Sequence, residues 1–373
     1  MTGASPFAPT DDVFPHPIPV VPTSYVFDQA PWLIYWEITR ACDLACRHCR
    51  AEAIAHRDPL ELTNDEAKAL LDSIRKFGDP PPHLVITGGD PLRRPDLPEL
   101  IRYALDIGIN LSLAPSVTPL LNREALVQLR MLGVETISLS LDGAEASLHD
   151  RIRGIPGCFD RTMEMARTAV DEGLQLQVNT LVTADTLADL PHIYRRVVDL
   201  GALRWSLFFL IQVGRGTTLE PVTPSQAEDI CRWLTGLMPQ APLQIKTTEA
   251  PFFRRVAIQQ LLARGLSFAD IRRLPVARGF GVRDGNGILF ISHRGEVYPS
   301  GFLPIAAGNV RNTDIRRIYR ESQLFRDLRD VNRLKGKCGR CEFRHLCGGS
   351  RARAYAATGD HLESDPLCAY HPR

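Results

Sequence analysis

Strand-like hydrophobic runs recur at residues 32–38, 83–87, 110–114, 135–141, 174–181 and 204–210, with helix-like segments between them. Alternation of this kind over about 180 residues leaves little room for anything but parallel βαβ units. Several helix starts are marked locally. Thr63 and Glu66 form a capping-box pattern before a helix over 63–77, and Asn122 precedes a helix ending near Gly133. Further helices are expected over 95–107, 160–172 and 187–200. Six such units predict an α/β fold built on a partial (β/α)6 TIM-type barrel. In parallel barrels chemistry gathers at the C-terminal strand ends.

Composition narrows the function class. The 373 residues are 44% hydrophobic and 23% charged, an ordinary globular balance. A net charge of +1 gives no support to nucleic acid or an anionic membrane as main partner. No apolar run approaches the roughly 20 residues needed to span a bilayer. Residues 1–24 carry no Lys or Arg and are broken by prolines, which is not a signal-peptide pattern. The expectation is a cytoplasmic protein in four parts: a proline-rich arm (1–30), the barrel (31–219), a helical bridge (220–286) and a small C-terminal α+β domain (287–373). Thr223 and Gln226 open the bridge as a second capping box. Strand signals at 288–292 and 295–298, then a helix over 313–331, open the last part.

Nine cysteines in a reducing compartment argue for ligands or fillers rather than disulfides. Cys158 and Cys231 read as small buried fillers. Cys42, Cys46 and Cys49 form a C-x3-C-x2-C loop after the first strand. Three thiolates do not close a structural zinc site, and His48 is adjacent to Cys49 and points elsewhere. A [4Fe–4S] cube held by three cysteines leaves one iron open. The other readings are a chance cysteine-rich turn or a degenerate zinc knuckle. Cys338, Cys341, Cys347 and Cys368 supply four ligands, for which zinc and iron–sulfur are about equally good on spacing alone. Iron–sulfur leads because both sites would then serve one redox machine.

The three-cysteine loop, with Thr87-Gly88-Gly89-Asp90-Pro91 downstream, resembles the radical S-adenosylmethionine (SAM) superfamily. The C-terminal C-x2-C-x5-C…C pattern resembles its SPASM/twitch extension. Together the motifs span the chain from about Trp32 to Cys368. A full SPASM extension has seven cysteines, yet Ser300 stands where one is often found, and Ser350 and Arg351 occupy the stretch where another would fall. One auxiliary [4Fe–4S] cluster is therefore expected, not two.

The resemblance implies that Cys42, Cys46 and Cys49 hold the cluster that chelates SAM. Reductive cleavage of SAM to a 5′-deoxyadenosyl radical would precede hydrogen abstraction from a substrate. Gly88 and Gly89 are expected to let backbone approach the methionyl ammonium, with Asp90 offering it a carboxylate. Ser140, in a Ser-x-Asp-Gly strand end, would contact the ribose, and Arg153 the methionyl carboxylate, with Arg151 as its substitute. Asn179 is a weaker cofactor contact, with a buried cap or turn as the other reading, and Arg215 could meet a substrate carboxylate but reads rather as a solvated loop arginine. The auxiliary cluster would conduct electrons or act as a structural staple. A flavodoxin or ferredoxin would be the electron donor. For substrate, the cysteine-loop sequence and the run from Cys347 to Tyr355 look like the branch serving alternative haem and haem d1 synthesis, implying decarboxylation or oxidation of a tetrapyrrole propionate. The alternatives are maturation of a ribosomal peptide and a non-catalytic iron–sulfur binding protein.

Overall fold

The computed structural model describes residues 25–373; residues 1–24 of the proline-rich arm lie outside the described residues. The barrel is laid down in chain order. Strands β1 (Leu33–Glu37), β2 (His83–Thr87), β3 (Leu111–Leu113), β4 (Thr136–Ser140), β5 (Gln175–Val182) and β6 (Arg204–Phe209) pair successively and in parallel. Between them lie α1 (Asn64–Arg75), α2 (Leu97–Asp106), α3 (Arg123–Met131), α4 (Ala146–Arg153), α5 (Cys158–Asp171) and α6 (Leu190–Asp199). The predicted caps form: Thr63 and Glu66 complete a capping box, and the Asn122 side chain accepts from the Ala125 amide at 2.9 Å. Thr223 and Gln226 do the same for α7 (Pro224–Leu237).

Three strands with parallel pairings in this sheet fall outside the six expected. β7 (Gln244–Thr248) lies in the stretch read as a helical bridge and pairs with β6. It was hidden because Gln244, Lys246 and Thr248 are polar and face the barrel interior, so the run shows no apolar alternation. Helices α8 (Phe253–Ala263) and α9 (Phe268–Ile271) follow. Then come β8 (Arg283–Asp284), β9 (Gly287–Ile291), β10 (Glu296–Tyr298) and β11 (Gly308–Asn309). β9 pairs in parallel with β1, so the C-terminal hairpin extends the barrel sheet rather than starting a separate one. The helix expected over 313–331 is two, α10 (Ile315–Glu321) and α11 (Gln323–Arg329), divided where Ser322 turns extended and caps the second. α12 (Gly336–Arg340) and α13 (Arg351–Thr358) close the chain.

The two faces of the sheet differ in chemistry. Ile34, Trp36, Ile137, Leu139, Trp205 and Leu207 point outward and are buried beneath the helices. Each aliphatic side chain buried this way contributes roughly 1.5–3 kcal/mol. Their inward neighbours are small or polar: Ser138 and Ser140 on β4, Gln177 and Asn179 on β5, Ser206 on β6. Ordinary parallel barrels fill this space with branched aliphatics. Here it stays open, as a cavity of about 1240 Å³. No helix among the described residues is long and apolar enough to cross a membrane.

Candidate catalytic cavity and cysteine sites

β1 ends at Glu37, and the chain turns into the cysteine loop at the C-terminal rim. The loop is tied by an exchange with its own return: the Cys42 amide donates to the Ile54 carbonyl at 2.9 Å, and Ile54 to Arg40 at 3.1 Å. Two distant segments also hold it. The Arg47 amide reaches the Ile152 carbonyl at 3.0 Å, and the Arg215 amide reaches Cys49 at 3.2 Å. Cys42, Cys46 and Cys49 all face the cavity. Backbone amides point at two of the sulfurs, Leu44 to Cys42 Sγ at 3.4 Å and Ala53 to Cys49 Sγ at 3.5 Å. Donors of this kind favour thiolate. Burial works against them and raises the Cys42 thiol above its ordinary value, so a cation is needed to hold the sulfur ionised. A three-sulfur set at the rim of a large cavity fits a cube with one iron left to another ligand.

Gly88 and Gly89 also border the cavity, and their role is sharper than expected. A Cβ on Gly88 would stand 2.5 Å from the Thr39 carbonyl oxygen, and one on Gly89 equally close to the oxygens of Arg40 and Ala41. The glycines therefore let the β2 turn lie directly on the root of the cysteine loop, where the Gly89 amide donates to Thr39 at 2.8 Å. The collision is with the protein's own backbone.

Asp90 requires a correction. It is fully buried and is not part of the cavity wall. Its carboxylate accepts from Thr118 Oγ1 at 2.7 Å and from the amides of Leu92 at 3.2 Å and Ser116 at 3.4 Å. Those bonds make it a clamp between the β2 and β3 turns, set back from the cavity wall. Ser116 continues the clamp inward, donating to the Gly89 carbonyl at 2.7 Å and standing 3.5 Å from Cys42 Sγ.

Ser140 and Asn179 are register partners on β4 and β5, and both face the cavity. Asn179 sits within β5 rather than at its end, accepting from Gln177 Nε2 at 2.8 Å. Arg153 closes α4 against the same wall, with Nη1 3.7 Å from Cys46 Sγ. Arg151 is exposed and drops out as its substitute. Arg153 is also paired inside the protein, Nη2 lying 2.6 Å from Asp142 Oδ2, while its Nε is buried without a partner. Burial lowers the pKa of Arg153, and Asp142 outweighs that and raises it. Arg215 differs from expectation as well: its Nε and Nη2 are buried and unpartnered rather than solvated. His48, likewise, faces the cavity, with burial lowering its pKa to about 4, so it stays neutral.

The C-terminal cysteines form a different site. Cys338, Cys341, Cys347 and Cys368 surround one small cavity of about 20 Å³. Arg351 Nη2 approaches Cys338 Sγ at 3.7 Å and Arg255 Nη2 approaches Cys368 Sγ at 3.8 Å. Amides of Asp365 and Gly349 reach Cys338 and Cys347, each at 3.4 Å. A Cβ on Gly349 would stand 3.1 Å from Cys338 Sγ, so that glycine keeps the cradle open. Burial raises the Cys347 thiol to about 12. Four sulfurs with cationic donors fit a fully ligated cluster. Among the described residues no three His, Cys, Asp or Glu side chains form a site for a single metal ion. Ser300 and Ser350, the two departures from a seven-cysteine pattern, both face the large cavity.

Sequence reasoning missed the groups that couple the two halves. His293, after β9, lies 2.8 Å from Glu37 and 3.1 Å from Asp58, and Glu37 receives Arg50 at 3.1 Å just beyond Cys49. No local pattern marks this chain of contacts, because its members are 256 residues apart. Lys246, Arg204 and Glu249, which also border the cavity, were likewise unmarked.

Comparison with known proteins agrees with this geometry. Residues 36–197 match the radical SAM superfamily. The chain is 40% identical over 344 residues to an AdoMet-dependent heme synthase of Methanosarcina barkeri, covering 92% of this chain and 98% of that protein. It is also 40% identical to an AdoMet-dependent heme synthase of Oleidesulfovibrio alaskensis, covering 91% and 88%. Among solved structures, Streptococcus suis SuiB bound to S-adenosylmethionine superposes with a TM-score of 0.71 at 16% identity, over 92% of this chain and 78% of that one. The chain is an enzyme of the radical SAM superfamily, which works with SAM and a [4Fe–4S] cluster.

Proposed function

We propose that this enzyme acts on an iron tetrapyrrole, oxidatively decarboxylating propionate side chains to vinyl groups. The observation that carries the reading is the 40% identity to the Methanosarcina barkeri heme synthase along 98% of that protein's length. The cavity is consistent with it: Phe208, Phe290 and Phe302 offer apolar surface near the rim, and polar and cationic side chains line the interior. The conversion removes one hydrogen atom, one electron and carbon dioxide from each propionate.

Cys42, Cys46 and Cys49 would hold the cluster that chelates SAM, and Gly88, Gly89, Ser140, Arg153 and Asn179 border the space beside it. When bound, SAM and the reduced cluster supply the 5′-deoxyadenosyl group that takes the hydrogen atom. The chain's own part is to hold those groups, orient the substrate and keep water out. Cys338, Cys341, Cys347 and Cys368 would hold one auxiliary [4Fe–4S] cluster, which would take the electron that each decarboxylation releases. A reduced flavodoxin or ferredoxin would be the physiological donor.

The test is anaerobic incubation of the reconstituted protein with dithionite, SAM and iron coproporphyrin, followed by mass spectrometry. The expected result is loss of the elements of formic acid from each propionate that reacts. Cleavage of SAM with an unchanged tetrapyrrole, and a mass change in a peptide encoded beside the gene, would establish peptide maturation instead.

A further inference from the structure

The barrel interior carries a cationic cluster that neither cysteine site uses. Lys246 projects inward from the middle of β7, and Arg204 from the first position of β6. Arg204 donates only to neutral amides, Gln177 Oε1 at 3.1 Å and Gln244 Oε1 at 3.4 Å. Lys246, half-buried on the cavity wall, has no hydrogen-bond or ion-pair partner among the described residues. His83, on β2, faces the same space, with its Nε2 3.0 Å from Ser112 Oγ.

An ammonium drawn away from bulk water normally has a carboxylate beside it, because desolvation disfavours the lone charge. Here the charged neighbours are of the same sign. Burial, then Arg204 and Arg254, lower the Lys246 pKa to about 7, and no acid offsets them. Burial likewise lowers Arg204, against only a small opposing effect of Tyr35. His83 is lowered to about 4 by burial, then by Arg204 and Lys246. Arg254 is already committed to the carbonyls of Val282 at 2.6 Å and Leu346 at 3.4 Å. An anion is the missing component, and the interior is wide enough to admit one on a large molecule.

We infer that Lys246 and Arg204 form a carboxylate-binding subsite deep in the barrel, which holds a carboxylate of the substrate remote from the reacting group. The placement follows from the strands. Arg204 begins β6, while Phe208 lies four residues on, toward the rim that carries the cysteine loop. At about 3.3 Å per residue Arg204 lies roughly 13 Å below the level of Phe208, and Lys246, in register with Ser206, roughly 7 Å below it. A large polycarboxylate can place one carboxylate there and another side chain at the rim. This inference rests on the tetrapyrrole reading for the identity of the substrate, but not for the presence of the anion site. Lys246 and Arg204 are positioning residues in this account.

The test pairs two probes on the reconstituted holoenzyme. Iron coproporphyrin and its tetramethyl ester are titrated into wild type, Lys246→Met, Lys246→Arg and Arg204→Gln. Loss of a charged hydrogen-bond partner should weaken the acid by about tenfold or more in the Met and Gln variants. The Arg variant should retain most of the affinity, and ester binding should be unaffected by any substitution. Acid binding within twofold of wild type in both Lys246→Met and Arg204→Gln overturns the subsite. The second probe is sodium propionate, read by protection of Lys246 from acetic anhydride and located by peptide mass mapping. Protection in wild type that disappears in Arg204→Gln supports the subsite even if iron coproporphyrin does not bind, in which case the tetrapyrrole reading alone fails. Equal acetylation of Lys246 with and without propionate overturns the subsite whatever the tetrapyrrole does.

Discussion

The two cysteine sites differ in what surrounds the sulfurs. At the first, three cysteines border a cavity of about 1240 Å³; at the second, four enclose about 20 Å³. The nearby cations differ too. Arg153 beside Cys46 is neutralised by Asp142 at 2.6 Å, on the cavity wall. At the second site Arg255, itself paired with Glu228, stands at Cys368, and Arg351, which has no ion pair among the described residues, stands at Cys338. One arrangement leaves room for a further ligand. The other offers a fourth sulfur, far less space and two arginines beside the sulfurs.

The sharpest way to break this contrast is to remove one ligand from each site. Cys46→Ala should abolish release of 5′-deoxyadenosine in dithionite and SAM, while Cys347→Ala should keep a substantial part of it. Each variant should lose about four of roughly eight irons. Equal loss of cleavage in both variants would contradict separate roles.

The charge-compensation difference is tested next. Asp142→Asn leaves Arg153 buried without its acid, a change of about 3–5 kcal/mol in comparable buried pairs. It should lower the unfolding midpoint and weaken SAM binding measured by equilibrium dialysis. Glu228→Gln removes the acid bound by Arg255 at 2.7 Å and should lower stability without changing SAM affinity. A SAM defect in the Glu228 variant, and none in the Asp142 variant, would reverse the assignment.

Glycines provide a smaller, purely steric test. Gly89→Ala pushes a methyl against two carbonyl oxygens at 2.5 Å, and Gly349→Ala pushes one toward Cys338 Sγ at 3.1 Å with φ near +70°. Both should cost about 2–3 kcal/mol. They should differ in iron: Gly89→Ala should lose the SAM-responsive cluster and Gly349→Ala the other, as followed by electron paramagnetic resonance.

The least effect, and the most regional, is acid sensitivity of the barrel. His83 and His149 are both held near 4 by burial, His149 also receiving the Asp142 amide at 3.1 Å. Folded values below the unfolded value of about 6.5 mean the unfolded chain binds more protons between the two. Stability is therefore full above about pH 6.5 and declines as pH falls toward 4. His149→Gln should flatten that decline in thermal melts; an unchanged profile would exclude His149 as a contributor.

Much of the fold was legible because its signals are local. Cysteine spacing, the Thr63 and Thr223 capping boxes and the apolar outer face of each strand can all be read within a few residues. β7 was not legible, since a strand whose inner residues are Gln244, Lys246 and Thr248 has no apolar alternation. Nor could sequence show that Asp90 faces Thr118 rather than the cavity, or that β9 joins β1; both depend on pairings made only in the folded chain. The same holds for Lys246 and Arg204. Their significance lies in the carboxylates that are not beside them, which no spacing rule reports.

The account rests on an iron–sulfur cluster at Cys42, Cys46 and Cys49 that takes SAM as an additional ligand. Electron paramagnetic resonance of the dithionite-reduced, oxygen-free Cys347→Ala protein, with and without SAM, isolates that cluster. A signal that shifts on adding SAM, and is absent in Cys46→Ala, is the predicted result. A signal that SAM leaves unchanged, or no signal at all, would contradict the account.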